Sequence, residues 1–568
     1  MPQKLLFLLI FVSHLGFSQA HTPPSFYSIS VPGDAGEVIA LETDRSFYCI
    51  NERLYFTASY ASKYHVDGVQ WSQVLYVEIL RWNGEKMAQA KFKIYENSAS
   101  GYLSIPGFLP SGNYYLRAYT RWMRNFPAEN YAYRMVKIIN PFQGNIDQGP
   151  AEESDEENSV IESPRSSSYH GIDCYTDRSS YAPREKVELT IQHRLPGYVD
   201  SDFCVSVAKA ATIDTGNVHI QAPVQISSAE TTLNFLPETR GISISGKIAT
   251  ANTPGSLKNA RMNLSTTQNG RYYTNFHTSD SGLFCFTIPD FYGTYEFYLD
   301  AILENGESAE ILIDNDYCNR SIQLGYVPFS LDSIEEEVAL EMVVNMQLSN
   351  MYDDESRDLI RDSAIPPFYI GPQHVYDTRD YIQLPNLEEF FFELVKEVRT
   401  ARSKNRTYLK LARYSEYNDL MPLVLIDNVP VLNVDELLRI PLDRIETVEV
   451  LDEPYLVCGT KYNGIICISS KGKDFAGIEL HKNSLFFSYD LLSEEHFNIS
   501  PPDTTTTDKL TYRKNVLFWD PDLELPVDQA RTLSFYTSDS KGDYVVYIRS
   551  VGPGGTPQIF GKCKITVE

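Results

Sequence analysis

Two stretches of this chain, 133 residues apart, carry the same residues in register, and that repeat constrains the fold more than any bulk property. Leu41-Glu42-Thr43-Asp44-Arg45-Ser46-Phe47-Tyr48, followed by Glu52, returns as Cys174-Tyr175-Thr176-Asp177-Arg178-Ser179-Ser180-Tyr181, followed by Glu185. Asp, Arg, Ser, Tyr and Glu recur at matching positions. Self-similarity of this kind means one structural unit used twice, and two copies are too few for a solenoid. The first copy opens a series of short strands. Residues 55–60 alternate at period two, 75–80 form a second apolar run, Asn83-Gly84 is a hairpin signal, and 114–119 follow Leu109-Pro110-Ser111-Gly112. Short strands separated by turn signals predict a β-sandwich over 37–140, and the repeat predicts a second over 171–238. The Asp-Arg pair could hold a ligand, but fixing the opening strand by an ion pair or turn hydrogen bonds is the better reading.

The remaining chain divides by composition and period. Residues 147–170 are acidic and Ser-rich with few large apolar groups, so they cannot offset the entropy of ordering and read as a disordered linker. Residues 240–325 carry strand patterns at 242–248, 259–264, 283–286 and 293–298, a third sandwich. Residues 331–352 are the clearest helix, with Ser333 as a cap, early glutamates, and Val338, Met342, Met346 and Leu348 facing inward against a neighbouring domain. Residues 366–475 read as a small α+β unit. It has a helix at 387–398, a strand at 423–426, the turn Asp427-Asn428, a short helix after Asn433, and strands at 445–450 and 465–468. Residues 476–568 read as a C-terminal Ig-like sandwich threaded by a Pro-Thr linker at 500–508. The fold class expected is mainly β: a string of Ig-like β-sandwiches with one small α+β domain, which the resemblances below make macroglobulin-like and plug-like.

Several of these units resemble known families. The Asp-Arg-x-x-Tyr opening with Ile105-Pro106, Leu109-Pro110-Ser111-Gly112 and Tyr114 to Thr120 is similar to the MG2 domain of the α2-macroglobulin superfamily in its bacterial form. Ser245-Gly246-Lys247-Ile248, Ala260-Arg261-Met262-Asn263-Leu264 and Ser279-Asp280-Ser281-Gly282-Leu283-Phe284 resemble the carboxypeptidase regulatory-like domain, which is not catalytic despite its name. Residues 425–430, 445–451 and 463–466 resemble the plug domain of TonB-dependent outer-membrane receptors. The whole resembles exported Bacteroidota proteins that string such domains together. A plug without its barrel transports nothing. A barrel of ~22 strands at ~10 residues each needs over ~200 residues of alternating strand, and residues 476–568 do not supply them.

Residues 1–20 read as a signal peptide: Lys4, an apolar centre from Leu5 to Val12, and a small-residue exit at Gly16 to Ala20. No later stretch has the ~18 apolar residues of a membrane helix, so the chain is expected to be exported without a transmembrane segment of its own. A net charge of −26 argues against a nucleic-acid partner, which needs clustered Lys and Arg. The eight cysteines are spread thinly and mostly lie in apolar runs as small hydrophobes, although Cys458 and Cys467 are near enough to cross-link a hairpin. Reaction machinery is not legible. The histidines do not have zinc spacing, and neither a nucleophile elbow nor a phosphate loop is present. Covalent trapping in macroglobulins uses a Cys-Gly-Glu-Gln thioester; Cys458-Gly459-Thr460-Lys461 departs from it at both later positions. No catalytic, cofactor-binding or metal residue is assigned. The expected function is a non-enzymatic cell-envelope protein-binding or scaffold module, periplasmic or outer-membrane associated, with protein partners that include an outer-membrane β-barrel. The alternative is a macroglobulin-like protease inhibitor or bait protein without a thioester. In the plug-like unit, Asp427, Glu446 and Glu449 are read as surface and turn residues.

Overall fold

A computed structural model describes residues 36–62, 71–149, 169–193, 202–213, 219–220, 233–250, 257, 259–267, 271–303, 306–320, 322–352, 368–369, 371–403, 406–413, 420–493, 512–526, 529–550 and 559–568. The signal segment 1–20, the acidic run 150–168 and the Pro-Thr stretch 500–508 lie outside them. The protein is mainly β, as expected.

In the first sandwich one sheet runs Glu37–Thr43, Arg53–Ser62, Ser98–Ser104. The other runs His219–Ile220, Ala132–Ile139, Gly112–Thr120, Val74–Leu80, Lys86–Lys93, with Phe47–Cys49 parallel to Ala132–Ile139. Alternate residues of both sheets, among them Leu54, Phe56, Val77, Ile79, Leu116 and Ile138, meet in one core, the usual way two sheets bury their inner faces.

The second copy has the same topology, but its strands come from two distant parts of the chain. Ile172–Thr176 pairs with Lys186–His193, which pairs with Ala530–Tyr536. Ser180–Tyr181 runs parallel to Ile559–Val567, and the sheet continues through Gly542–Ser550 and Asp202–Lys209 to Val516–Glu524. Each pairing of the first sandwich is reproduced except the edge contact of His219–Ile220 with Ala132–Ile139. Residues 171–238 and 476–568, expected as two sandwiches, are therefore halves of one. The step from Val74–Leu80 to Lys86–Lys93 takes residues 81–85 in the first copy; the matching step in the second takes residues 210–515. Alternation at period two specifies the two faces of a strand and not its partner, which is why local patterns placed the strands correctly and the boundary wrongly.

That long insertion holds everything else. The third sandwich joins Leu283–Ile288, Ile242–Ala249 and Glu310–Ile313 in one sheet. Its second sheet is Tyr273–His277, Arg261–Thr266, Thr294–Ile302 and Ser484–Asp490. The last of these strands was expected in the C-terminal unit. Between Glu310–Ile313 and Ser484–Asp490 sits the α+β unit, whose five-stranded sheet is ordered His374–Asp377, Ile445–Leu451, Ile465–Ser470, Leu423–Ile426, Val429–Pro430. It has its own core, with Phe390, Leu437, Val448 and Ile466 at its centre. Its first helix is shorter than expected, Leu387–Glu393, because Val398–Ser403 forms a hairpin with Arg406–Leu411 instead of continuing it.

The long helix Ser333–Tyr352 is capped by Asp332 rather than Ser333. The Asp332 carboxylate accepts from the Ile334 and Glu335 amides at 2.9 and 2.8 Å, and the Asp332 amide donates to Glu335 Oε2 at 2.9 Å. This reciprocal capping box satisfies amides that a helix start leaves unpaired. Met342 and Met346 are buried as expected. Asp147, expected to begin the linker, is buried and ion-paired to Arg81.

Candidate functional site

The repeated turn is where the structure concentrates charge. In the first copy the Tyr48 hydroxyl donates to Asp44 Oδ1 at 2.7 Å, the Arg45 amide donates to that hydroxyl at 3.3 Å, and the Tyr55 amide donates to Asp44 Oδ1 at 3.2 Å. Thr43 Oγ1 donates to the Arg45 carbonyl at 2.8 Å, and the Cys49 amide to Glu52 Oε2 at 2.6 Å. The Arg45 guanidinium lies 3.1 Å from Glu52 and 4.6 Å above the Tyr48 ring. The second copy repeats each contact. Tyr181 donates to Asp177 at 2.8 Å, the Arg178 amide to Tyr181 at 2.9 Å, and the Glu188 amide to Asp177 at 2.9 Å. Thr176 donates to the Arg178 carbonyl at 2.6 Å, and the Ala182 amide to Glu185 at 2.8 Å. Arg178 reaches Glu185 at 2.7 Å and covers the Tyr181 ring at 4.9 Å. The Asp-Arg pair thus fixes the crossing between two strands. Asn51 and Arg184 occupy the same left-handed position after it, with φ of 61° and 59°.

Surroundings distinguish the copies. Asp44 and Arg45 have side chains 0% and 3% exposed, whereas Asp177 and Arg178 are 38% and 50% exposed. The outer face of the second sandwich closes over the first copy. Ser206 Oγ donates to the Asp44 carbonyl at 2.5 Å, the Ser46 amide donates to the Thr212 carbonyl at 2.9 Å, and Arg549 donates to Glu42 at 2.6 Å and to the Thr43 carbonyl. Cys204, Ala208, Val516 and Trp519 pack on Ala40 and Tyr55. Within Asp202–Lys209, Phe203, Val205 and Val207 point into the second core while Cys204, Ser206 and Ala208 point into this joint. The long helix seals its margin through Asn345 to Asn515 at 2.8 Å, Asn515 to Glu52 at 2.5 Å, and Lys209 to Glu341 at 2.8 Å. Burial raises the Asp44 carboxyl to about 6. The exposed Asp177 is instead held below the usual carboxylate range, chiefly by the Glu188 amide.

Two further seams are built the same way. Between the first and third sandwiches, Lys91 meets Asp316 at 2.5 Å and the Asp490 carbonyl at 2.6 Å, with Tyr489 also on Asp316. Arg121 donates to Ser245 Oγ at 2.6 Å. Glu238 accepts from Tyr76 at 3.0 Å and from the Ser243 amide at 2.7 Å. Between the third sandwich and the α+β unit, Glu449 accepts from Arg271 and, at 2.8 Å, from Tyr369. Glu449 is buried and belongs to this seam, so it is not the surface residue expected. Asp427 is a turn residue, as read, but a buried one: it accepts from the Ser470 amide and hydroxyl and from the Phe475 amide. Glu446 is a partly exposed partner of Lys473.

Cys458, at φ 45°, forms with Gly459 the turn between Tyr455–Val457 and Thr460–Tyr462, and its thiol lies 2.9 Å from Thr274 Oγ1. Cys467 is buried in the neighbouring sheet, and the two are free thiols rather than a hairpin cross-link. Among the described residues no group of three His, Cys, Asp or Glu is arranged to hold a metal, and no helix is long and apolar enough to cross a membrane.

No protein-family profile matches the chain, and a search of curated proteins returned no match. Among solved structures the chain is similar to trypsin-activated α-2-macroglobulin from Escherichia coli, at 8% identity and a TM-score of 0.21 over 95% of this chain and 42% of that one. It is similar to Salmonella α-2-macroglobulin reacted with methylamine, at 8% identity and a TM-score of 0.22 over 96% and 40%. A third similarity is to the Yersinia pseudotuberculosis adhesin InvE, at 12% identity and a TM-score of 0.12 over 66% and 75%. The chain spans less than half the length of those macroglobulins. At these scores the overlays carry no argument, and the β-sandwich assignment rests on the chain's own sheets.

Proposed function

We propose that this protein is a non-enzymatic scaffold of the cell envelope that binds protein partners as an accessory of an outer-membrane complex. One observation carries the reading: the buried carboxylates at the three seams, Glu42 with Arg549, Asp316 with Lys91, and Glu449 with Arg271, hold one unit against the next. Buried ion pairs add little net stability because desolvation offsets their attraction, and their best-attested use is to fix one arrangement over others. A chain that commits its buried charges this way is built to present surfaces at set positions. The finer family readings go with the proposal: macroglobulin-type sandwiches for the two copies, a regulatory-like domain for the third, and a barrel-less receptor plug kept as a docking or spacer module for the α+β unit.

The test is affinity isolation of the full chain from envelope fractions. Co-isolation of an outer-membrane β-barrel is the expected result. Recovery of the chain alone, outside the envelope, would overturn the reading. Inhibition of broad-specificity proteases with cleavage within residues 150–168 would instead support the bait-protein alternative.

A further inference from the structure

The two ends of the second sandwich meet along one line. Tyr169 and His170 pair in parallel with Ile559 and Phe560, and Ser180 and Tyr181 pair in parallel with Thr566 and Val567. Between these anchors, Ile172–Thr176 runs beside Ile559–Val567 without ladder hydrogen bonds, since it belongs to the facing sheet. The approach is close at Gly561, where an added Cβ would stand 3.0 Å from the Ile172 carbonyl oxygen and side chain. Two residues further along each strand are Cys174 and Cys563. Both are half-buried against the same core, with their side chains close enough to interact. They are free thiols in this structure. The other six cysteines have different settings: Cys49, Cys204, Cys318 and Cys467 are buried, Cys285 is half-buried, and Cys458 is exposed.

We propose that Cys174 and Cys563 form an intramolecular disulfide that fastens the last strand of the second sandwich to its first, across the two sheets. A disulfide needs Cα atoms roughly 4.4–6.8 Å apart with converging side chains, and two cysteines that face one core from parallel neighbouring strands, two residues beyond the close approach of Gly561 to Ile172, meet that need. The oxidant is a small-molecule or protein disulfide. The Cys563 thiolate attacks one sulfur of that disulfide, expels the other as a thiolate, and forms a mixed disulfide. The Cys174 thiolate then attacks the Cys563 sulfur and expels the second thiolate. One S–S bond is formed and one consumed, and the two electrons lost by the cysteines reduce the oxidant to two thiols. Either cysteine can make the first attack, and the balance is the same in both orders. In a cell the step also depends on the export read from residues 1–20. In purified protein it does not, so the two readings fail separately.

The test uses the full chain carrying Cys458→Ser, which removes the exposed thiol, incubated folded with oxidised glutathione and then alkylated under denaturing conditions. The expected result is a loss of two thiols, an intact mass lower by two hydrogens, and one linked peptide joining Cys174 to Cys563. The oxidised protein should also unfold at a higher temperature than the same sample after reductant. Recovery of both cysteines alkylated, or a linked peptide joining either to a different cysteine, would overturn the proposal. The bond is read on the native residues at 174 and 563, so the result does not depend on whether a cysteine variant folds. Examining the wild-type chain isolated from the envelope then reports separately on export.

Discussion

The first sandwich passes from Val74–Leu80 to Lys86–Lys93 through residues 81–85, while the second makes the same step through residues 210–515. The two nonetheless keep the same strand order and the same turn. Loop closure grows only with the logarithm of loop length, about 0.6 kcal/mol for each doubling, so a hairpin tip can accept two further units if their ends return close together. The copies differ more in what surrounds the turn. Ala40 and Tyr55, which pack in the joint, have Asp173 and Glu188 as their counterparts. An apolar pair marks the copy that is covered and an acidic pair the copy that stays in water. One motif thus serves once as a buried joint and once as a solvated corner.

The contrast can be broken most severely at the arginine. Arg45→Ala removes a buried cation and leaves Asp44 without its charge partner, so a loss of about 3–5 kcal/mol is expected, read as a lower urea midpoint. Arg178→Ala in the exposed copy should leave the midpoint within experimental scatter. Equal effects in the two would show that burial does not set the value of the motif.

A smaller effect is expected when the first copy is given the second copy's exterior. Ala40→Asp places an acid in the cluster of Trp519 and Ala208, where an unpaired polar group costs about 1–3 kcal/mol. The expected readout is faster amide exchange at Ser46 and Tyr55, with protection inside each sandwich retained. Unchanged exchange at Ser46 would mean that the apolar contacts do not hold the joint closed.

The copies should also differ in their response to pH. Burial raises Asp44 to about 6 and Glu37 to about 7, from ordinary values of 3.8 and 4.5. A carboxyl raised on folding holds its proton more tightly in the native state, so this contribution is complete below the ordinary values and is lost as pH rises through 6 and then 7. Asp177 and Glu185 are lowered, so their contribution is present above the ordinary carboxyl range and is lost in acid. Urea midpoints measured across this range should therefore fall with rising pH, and Asp44→Asn should shrink the fall toward 6, to which the buried Asp300 also contributes, while leaving the part toward 7. A profile that Asp44→Asn does not alter would place the titration elsewhere.

The smallest change sharpens the comparison. Arg184→Asn puts the first copy's residue at the matching left-handed position. It relieves backbone strain, since Asn tolerates positive φ better than Arg, but removes the ion pair with Asp539 at 2.7 Å. An exposed pair is worth about 0–1 kcal/mol, so a net shift inside that range is expected from the urea midpoint.

Strand positions were legible from period-two alternation, and the turn was legible from the repeat, because both are local. The role of the Asp-Arg pair was legible because the Tyr and Glu that hold it recur at the same spacing in both copies. The partnership of Lys186–His193 with Ala530–Tyr536 was not legible, since no local pattern names a partner more than 300 residues away. A signal was available: among the described residues the second copy has too few strands before residue 240 to close a sandwich, and residues 516–567 supply those it lacks. Glu449 was misread because alternation along 445–450 shows which face a side chain takes and not that Arg271 and Tyr369 cover that face.

The insertion at residues 210–515 also has a consequence in time. Whatever the rate at which the chain is delivered N-terminus first, Phe203, Val205 and Val207 have no sheet to join until residues 516–567 arrive. The first and third sandwiches and the α+β unit can all complete themselves before Gly542–Ser550 emerges. The second sandwich must close last, around units that are already folded. Its waiting strands are therefore the stretch of this chain most exposed to mispairing, and the natural place for a holding chaperone to act.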